Sequence, residues 1–207
     1  MRQYSWLEND LASVNRSVTP WVVVYGHRPM YCTNADRDDC TFFETRTRTG
    51  LPLTKWWGLE PLLAQYGVDL AVWAHEHSYE RLLPTYNRKV VPSPDPGDPY
   101  NQPRAPVHIT TGHLRACIIP NSCIIVIPLV SLSPYSGSAG CREKHDDFNK
   151  THPDWSAFRS TDYGYSRFYF ANSTHVRVQQ VSAEKNGTVI DEIWVVQNSH
   201  GPFHSIL

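Results

Sequence analysis

Residues 68–81 read VDLAVWAHEHSYER, an apolar run that ends at two histidines one residue apart, His75 and His77. In an extended segment, residues i and i+2 share a face, and their Cα atoms lie roughly 6.5 Å apart. Two such imidazoles can each hold one ion of a close metal pair, whose members lie roughly 3.5–4 Å apart. The spacing therefore predicts that His75 and His77 are metal ligands in an extended segment.

An earlier part of the chain has the same design. Residues 21–31, WVVVYGHRPMY, form a short apolar run that ends at a glycine and then His27. Between the two runs, residues 59–67 predict a short helix, with Pro61 tolerated in its first turn and Gly67 as the stop signal. A strand, a helix and a strand in this order form a crossover with parallel strands. Both histidine segments should then leave one carboxyl edge of a sheet, where open α/β sheets place their ligands.

These two segments carry a resemblance to a known family. Residues 26–31, GHRPMY, and residues 74–81, AHEHSYER, are similar to the last two of the five metal-binding motifs of the purple acid phosphatases, within the calcineurin-like metallophosphoesterases. Residues 3–8 and 191–194 also resemble the animal members. The resemblance covers nearly the whole chain except a segment near residues 113–136. One departure is Ala74, where the family usually has glycine.

The resemblance implies a fold and an activity. The expected fold is α/β, a metallophosphoesterase-type β-sandwich flanked by helices, incomplete here, with antiparallel carboxyl-terminal strands. The expected reaction is hydrolysis of phosphate monoesters, with a hydroxide activated by a binuclear centre of Fe(III) and a divalent ion, either zinc, iron or manganese. Carried over by position, His27 and His75 would bind the divalent ion, and His77 would bind the ferric ion.

The family's three earlier motifs, which supply the bridging carboxylate and the remaining ligands, do not precede Trp21. We therefore expect residues 1–207 to be the carboxyl-terminal portion of the catalytic domain, holding partial or no metal and inactive on its own. The sequence identifies no catalytic residue besides the metal ligands. One alternative is a noncatalytic fragment or pseudoenzyme with a structural or interaction role. Another is a related enzyme that acts on phosphodiesters or nucleotides.

Residues 113–136 fit neither a helical nor a strand period, and Pro120, Asn121 and Pro128 interrupt them. We interpret this segment as an aberrant insertion, with a membrane anchor as the alternative. The interruptions argue against a membrane span, and none is expected. The 207 residues are 41% hydrophobic with a net charge of -1, which suits a single core and implies no nucleic-acid partner.

Sequons and cysteines indicate the compartment. The glycosylation pattern occurs at four asparagines, Asn15, Asn149, Asn172 and Asn186, and matters only in the secretory pathway. Cys32 and Cys40 flank a polar loop that they could close as a disulfide; two free thiols are the alternative. The parent protein is expected to be secreted or lysosomal. Because no signal peptide begins at Met1, secretion would depend on an upstream segment or would not occur.

The rest of the chain gives less specific signals. Apolar spacing predicts an amphipathic helix over residues 3–14 and a third strand over residues 106–112, in which His108 is expected to be a packing residue. Alternating patterns over residues 166–170, 175–181 and 189–196 predict antiparallel strands, with a hairpin turn at Asn186-Gly187.

Overall fold

The amino-terminal helix follows the predicted apolar stripe. In the computed structural model, which describes residues 2–112, 117–119, 124–128 and 144–206, helix α1 spans Arg2–Ser13 and buries Leu7 and Leu11. Two shorter helices follow, α2 (Arg46–Thr49) and α3 (Leu59–Gln65), with a 3₁₀ turn at Asp39–Thr41. None of the helices in these ranges is long and apolar enough to cross a bilayer.

The described strands form two main sheets and a small hairpin. In chain order they are β1 (Trp21–Gly26), β2 (Leu70–Trp73), β3 (Tyr79–Leu82), β4 (Thr85–Tyr86), β5 (Lys89–Val90), β6 (Val107–Thr111), β7 (Cys117–Ile119), β8 (Ile124–Pro128), β9 (Ser156–Ser160), β10 (Gly164–Phe170), β11 (His175–Ser182) and β12 (Thr188–Val196). The first sheet has the order β8-β1-β2-β6-β3-β9, and the second has the order β12-β11-β10-β7. Strands β4 and β5 pair with each other.

The predicted crossover is confirmed. Strands β1 and β2 pair in parallel, with Val23 opposite Leu70 and Gly26 opposite Trp73, and α3 connects them. Strand β6 extends the parallel part of the sheet, whereas β3 and β9 run antiparallel. Gly67 ends the α3 segment in the left-handed region, with a φ of 61°, next to the backbone carbonyl of Gly201. A side chain at this position would clash with that carbonyl.

Successive side chains of β1 point to opposite faces of the sheet, and they divide the core into two layers. Val22 and Val24 pack with Leu7, Leu11 and the α3 leucines on the helix side of the first sheet. Trp21 and Val23 point the other way, into a second cluster that includes five residues of the second sheet, Phe168, Phe170, Val176, Val178 and Val195. The first sheet is therefore covered by helices on one face and by the second sheet on the other, as a sandwich requires.

The three carboxyl-terminal strands are antiparallel as predicted. Asn186 and Gly187 both have positive φ, 52° and 78°, in the turn between β11 and β12. The expected insertion at residues 113–136 lies mostly outside the described residues. Within it, β7 pairs in parallel with β10, and β8 pairs in parallel with β1. The sequence predicted neither strand, because continuous apolar runs carry no period-two signal.

Candidate metal centre

The crossover brings the first two predicted ligands together. Because Gly26 and Trp73 are paired, the chain leaves β1 and β2 at the same edge of the sheet. The backbone N–H of Ala74 donates to the carbonyls of Gly26 and His27, at 3.1 Å each. These bonds join the two histidine loops, and His27 Nε2 lies 2.9 Å from His75 Nδ1.

The predicted extended geometry of the second histidine loop is wrong. Residues 75–78 form a series of bends, and His75 has a φ of 66°, in the left-handed region. The bends are needed because the chain must reverse between β2, which is parallel to its neighbours, and β3, which is antiparallel to β6. Ala74 is buried and is not among the residues with positive φ, so its methyl group introduces no backbone strain.

Asp38 fixes the orientation of the His75 ring. Its Oδ2 contacts His75 Nε2, and its Oδ1 accepts a 2.8 Å hydrogen bond from Arg28 Nη1. Burial alone would raise the pKa of Asp38, but hydrogen bonds from the Asp39 N–H, His75 and Arg28 lower it to about 2. With the Nε2 proton directed at this carboxylate, His75 presents the lone pair of Nδ1 to His27. Carboxylates orient metal-binding histidines in the same way.

The surroundings of His27 favour its neutral form. Burial lowers the pKa of this imidazole, and electrostatic repulsion from the neighbouring His75, Arg28 and His77 side chains lowers it further. A neutral imidazole has a lone pair available for a metal ion. Within the part of the chain that the structure describes, no group of ligand atoms within 4.8 Å of one another joins His77 to His27 and His75.

His77 is positioned through its backbone. Its N–H donates a 2.6 Å hydrogen bond to Asp146 Oδ2, and its ring Nδ1 lies 3.9 Å from the same oxygen. On the next residue, Ser78 Oγ accepts a 2.8 Å hydrogen bond from Asn34 Nδ2. The loop is therefore held by polar groups from two distant segments of the chain.

The residues present fit a metal ion between His27 and His75. When His75 donates its Nε2 hydrogen to Asp38, its Nδ1 is an acceptor; His27 Nε2 then either donates a hydrogen bond to it or, in the other tautomer, offers a second lone pair that a cation between the two rings can bind. Imidazole nitrogens are ligands for zinc and iron. The donor set therefore agrees with the predicted divalent ion.

A cavity of about 420 Å³ opens beside His27. Apolar and aromatic side chains, including Trp57, Leu59 and Trp73, form much of its wall, together with Arg28 and Arg46. The cavity places cationic groups and apolar surface next to one predicted ligand. A phosphate ester has matching chemistry, since it joins an anionic group to an organic alcohol.

Sequence reasoning missed a buried carboxyl group under the histidine loop. Glu76 is fully buried between His75 and His77. Burial, followed by the charges of Asp36, Asp146 and Asp38, raises its pKa to about 9. A glutamate that follows an apolar run is expected to be a solvated loop residue. Nothing in the neighbouring sequence therefore predicts that this side chain is buried. The roles of Asp38 and Asp146 were also missed, because both depend on contacts between distant segments.

The two candidate cysteines are joined. Cys32 and Cys40 form a disulfide with their Cα atoms 5.3 Å apart, and it closes the loop that carries Asp36 and Asp38. All four sequon asparagines, Asn15, Asn149, Asn172 and Asn186, are exposed. As predicted, His108 is a buried packing residue: Trp73 Nε1 donates to its Nδ1 at 3.1 Å, and burial lowers its pKa to about 3.

The sandwich and the paired histidine loops at the end of a parallel crossover define a metallophosphoesterase. Residues 1–79 match the calcineurin-like phosphoesterase family, and residues 135–192 match the family described as iron/zinc purple acid phosphatase-like protein C. The chain belongs to the purple acid phosphatases, within the calcineurin-like phosphoesterases.

Similar proteins agree with this assignment. The chain is 48% identical over 207 residues to acid phosphatase type 7 of Danio rerio, covering 97% of this chain and 41% of that protein. It is 45% identical over 202 residues to acid phosphatase type 7 of Homo sapiens, covering 97% of this chain and 40% of that protein. The chain thus spans about two fifths of these relatives. A purple acid phosphatase from yellow lupin (Lupinus luteus) seeds has the same fold, with a TM-score of 0.68 at 20% identity, covering 95% of this chain and 28% of that one.

Proposed function

We propose that the protein is a metal-dependent phosphomonoesterase and that His27, His75 and His77 are ligands of its metal centre. The observation that carries the proposal is the 2.9 Å approach of His27 Nε2 to His75 Nδ1 at the carboxyl edge of the crossover. In this proposal His27 and His75 hold a divalent ion, either zinc, iron or manganese, and His77 holds Fe(III). The bound ions supply charge neutralisation for the phosphate and a lowered pKa for a water molecule.

The chain's own residues have distinct roles in this proposal. Asp38 directs the Nδ1 lone pair of His75 toward the shared position, because it contacts the opposite ring nitrogen. Arg46 contributes positive charge to the wall of the 420 Å³ cavity, where it attracts the phosphate group of the substrate. Trp57 and Leu59 supply apolar surface for the alcohol portion.

We also propose that residues 1–207 alone hold an incomplete centre and have no appreciable phosphatase activity. Three histidines are too few donors for two ions, because each ion needs about four or more ligands. Two nearby carboxylates already have partners, since Asp38 contacts His75 and Arg28 and Asp146 accepts from the His77 backbone, and the group of Asp38, His75 and Glu76, with ligand atoms within 4.8 Å of one another, offers a place for a single ion. The disulfide and the exposed sequons support synthesis of the protein in an oxidising, secretory compartment.

The test is metal analysis together with turnover of a chromogenic phosphate monoester at about pH 5. In a full-length version, His75→Ala and His77→Ala should each lower metal content and reduce turnover by orders of magnitude, since first-shell ligands provide both binding and activation. His204→Ala removes an exposed histidine and is the matched control. Unchanged metal content and turnover in either loop variant would rule out the assignment. Full activity of the isolated chain, with two metal ions bound, would show that Asp38 or Asp146 completes the centre.

A further inference from the structure

Exposed apolar side chains are concentrated in one segment of the surface, residues 42–56. Among the residues that the structure describes, ten large hydrophobic side chains are exposed, and half of them lie in this segment. They are Phe42, Phe43, Leu51, Leu53 and Trp56. Monomeric soluble proteins rarely expose large contiguous apolar patches, and such patches mark sites of interaction. We call residues 42–56 the aromatic segment.

The tip of the aromatic segment is a fixed turn. The Leu51 N–H donates to the carbonyl of Trp56, and the Lys55 N–H donates to the carbonyl of Leu51, at 2.9 Å each. Leu53 and Lys55 have positive φ, 69° and 56°, which is a strained conformation for residues other than glycine. Leu53 is 97% exposed. The turn therefore holds an apolar side chain out in the solvent.

Two phenylalanines lie beside this tip. An ion pair between Lys55 and Glu44 joins the tip to the residue that follows Phe43. Phe43 is 68% exposed, and the Arg88 guanidinium lies 5.9 Å from the centroid of its ring. Arg88 Nη1 also donates to the carbonyl of Phe42 at 3.0 Å. The tip, the two aromatic rings and an arginine therefore form one continuous surface.

This surface carries positive charge. Glu44 is the one carboxylate in the sequence of the aromatic segment, and it pairs with Lys55. Over the described ranges, Arg46 and Arg88 have no carboxylate within ion-pair distance. Two cations are thus left without a countercharge next to the exposed apolar side chains, although the whole chain has a net charge of -1.

We propose that the aromatic segment docks the protein on a lipid bilayer with anionic headgroups. Such a bilayer offers phosphates for the free cations and an apolar layer beneath them, which matches both halves of this surface. In the docked state Leu53 enters the boundary between headgroups and acyl chains. Trp56 and Phe43 lie at the level of the headgroups, where aromatic side chains are favoured. Arg46 and Arg88 bind the lipid phosphates.

The shape of the tip favours a bilayer over a protein partner. A stable protein interface of standard size buries about 800 Å² on each partner in a closely packed patch. Leu53 instead projects from a turn and is almost completely surrounded by solvent. A single projecting side chain can enter a fluid lipid layer without a preformed pocket. This docking is independent of the proposed phosphatase activity.

The experiment measures co-sedimentation of the full 207-residue chain with lipid vesicles. Vesicles made from equal parts of phosphatidylserine and phosphatidylcholine should sediment the protein. Vesicles of phosphatidylcholine alone should bind it roughly tenfold or more weakly, because each free cation near an anionic surface contributes about fivefold. Salt at about 0.5 M should reduce this difference, since it screens exposed charges.

Variants then locate the docking surface. Asparagine tolerates positive φ, so Leu53→Asn keeps the turn, and it should weaken binding about tenfold or more because it removes one inserted apolar side chain. Arg46→Gln should weaken binding to the anionic vesicles about fivefold and leave binding to phosphatidylcholine unchanged. Val18→Asn and Trp194→Ser change exposed apolar residues elsewhere and should bind as the wild type does. Unchanged circular dichroism shows that each variant is folded.

The proposal is overturned if the wild type does not sediment with the anionic vesicles, or if Leu53→Asn sediments as well as the wild type. Sedimentation velocity tests a second copy of the chain as the occupant. A dimer that Leu53→Asn converts to a monomer, with no vesicle binding by either protein, would assign the aromatic segment to a contact between copies and would also overturn the proposal.

Discussion

A buried ion pair should hold the histidine loop in place by joining the two sheets. Arg81 on β3 donates from Nε to Asp191 Oδ2 at 2.6 Å and from Nη2 to Asp191 Oδ1 at 2.7 Å. Tyr79, the first residue of β3 after the histidine loop, donates its hydroxyl to Asp191 Oδ2 at 2.9 Å. The Arg81 and Asp191 side chains are only 10% and 6% exposed, so solvent screens this pair weakly.

The perturbation is Asp191→Asn. It preserves the shape of the side chain but leaves the Arg81 cation buried without its countercharge, and removing one partner of a buried pair costs about 3–5 kcal/mol. For a chain of about 200 residues, each kcal/mol moves the unfolding midpoint by about 2–4 °C. We therefore expect the midpoint to fall by roughly 6–20 °C. Thermal unfolding followed by circular dichroism measures this change.

The second sheet offers a control, an exposed ion pair between two of its own strands. Arg177 and Glu192 form a 2.7 Å ion pair across β11 and β12, but their side chains are 40% and 34% exposed. Glu192→Gln should cost less than about 1 kcal/mol, as exposed pairs do. Replacing both buried partners, Arg81→Met with Asp191→Leu, should restore most of the lost stability. An Asp191→Asn midpoint no lower than that of Glu192→Gln would refute the reasoning.

Three further predictions concern the site and its surroundings. Asp38→Asn should weaken zinc binding by about 10–100-fold while leaving the far-ultraviolet circular dichroism unchanged, because it removes the group that orients His75; wild-type affinity in a zinc titration would contradict this. Because the pKa of Asp38 is lowered from 3.8 to about 2, its contribution to stability is present above pH 3.8 and is lost as the pH falls toward 2. Wild type should therefore lose more stability than Asp38→Asn over that interval in acid-unfolding curves, and parallel curves would show that the carboxylate is not stabilising. When the chain is secreted from eukaryotic cells, mass spectrometry should find glycans at Asn15, Asn172 and Asn186 but little at Asn149, whose Nδ2 already donates to the carbonyls of Thr33 and Asn34 at 3.2 Å and 2.7 Å; full occupancy at Asn149 would show that the glycan is attached before these bonds form and that the glycosylated chain folds without both of them.

The crossover could be predicted from the sequence because each of its signals is local. Apolar runs identify β1 and β2, and Pro61 and Gly67 mark the beginning and end of the α3 segment. The handedness and parallel pairing of such units then follow from general rules. For this reason the meeting of His27 and His75 at one edge was predictable, although their 2.9 Å separation was not.

The pairing of β3 with β9 could not be predicted from local sequence signals. Residues 79–82 carry Glu80 and Arg81 in a fully buried strand, so they lack the apolar alternation of a typical strand. Glu80 instead accepts hydrogen bonds from distant donors: Thr33 Oγ1 donates at 2.6 Å, and Ser156 Oγ at 2.5 Å. A buried polar network is visible only when its partners are known. The contact of Asp38 with His75 could not be predicted from the sequence for the same reason.

The histidine loop illustrates how such contacts prepare a metal site. A non-glycine residue with positive φ, such as His75, costs of order 1 kcal/mol or more and persists only when its surroundings fix it. Here the Ala74 N–H binds the first histidine loop, Asp38 holds the His75 ring, and Asp146 accepts from the His77 N–H. These partners are protein groups, so the loop conformation does not require a bound ion. The folded chain therefore presents its histidine nitrogens before metal arrives, and metal binding need not supply the free energy to bend the loop.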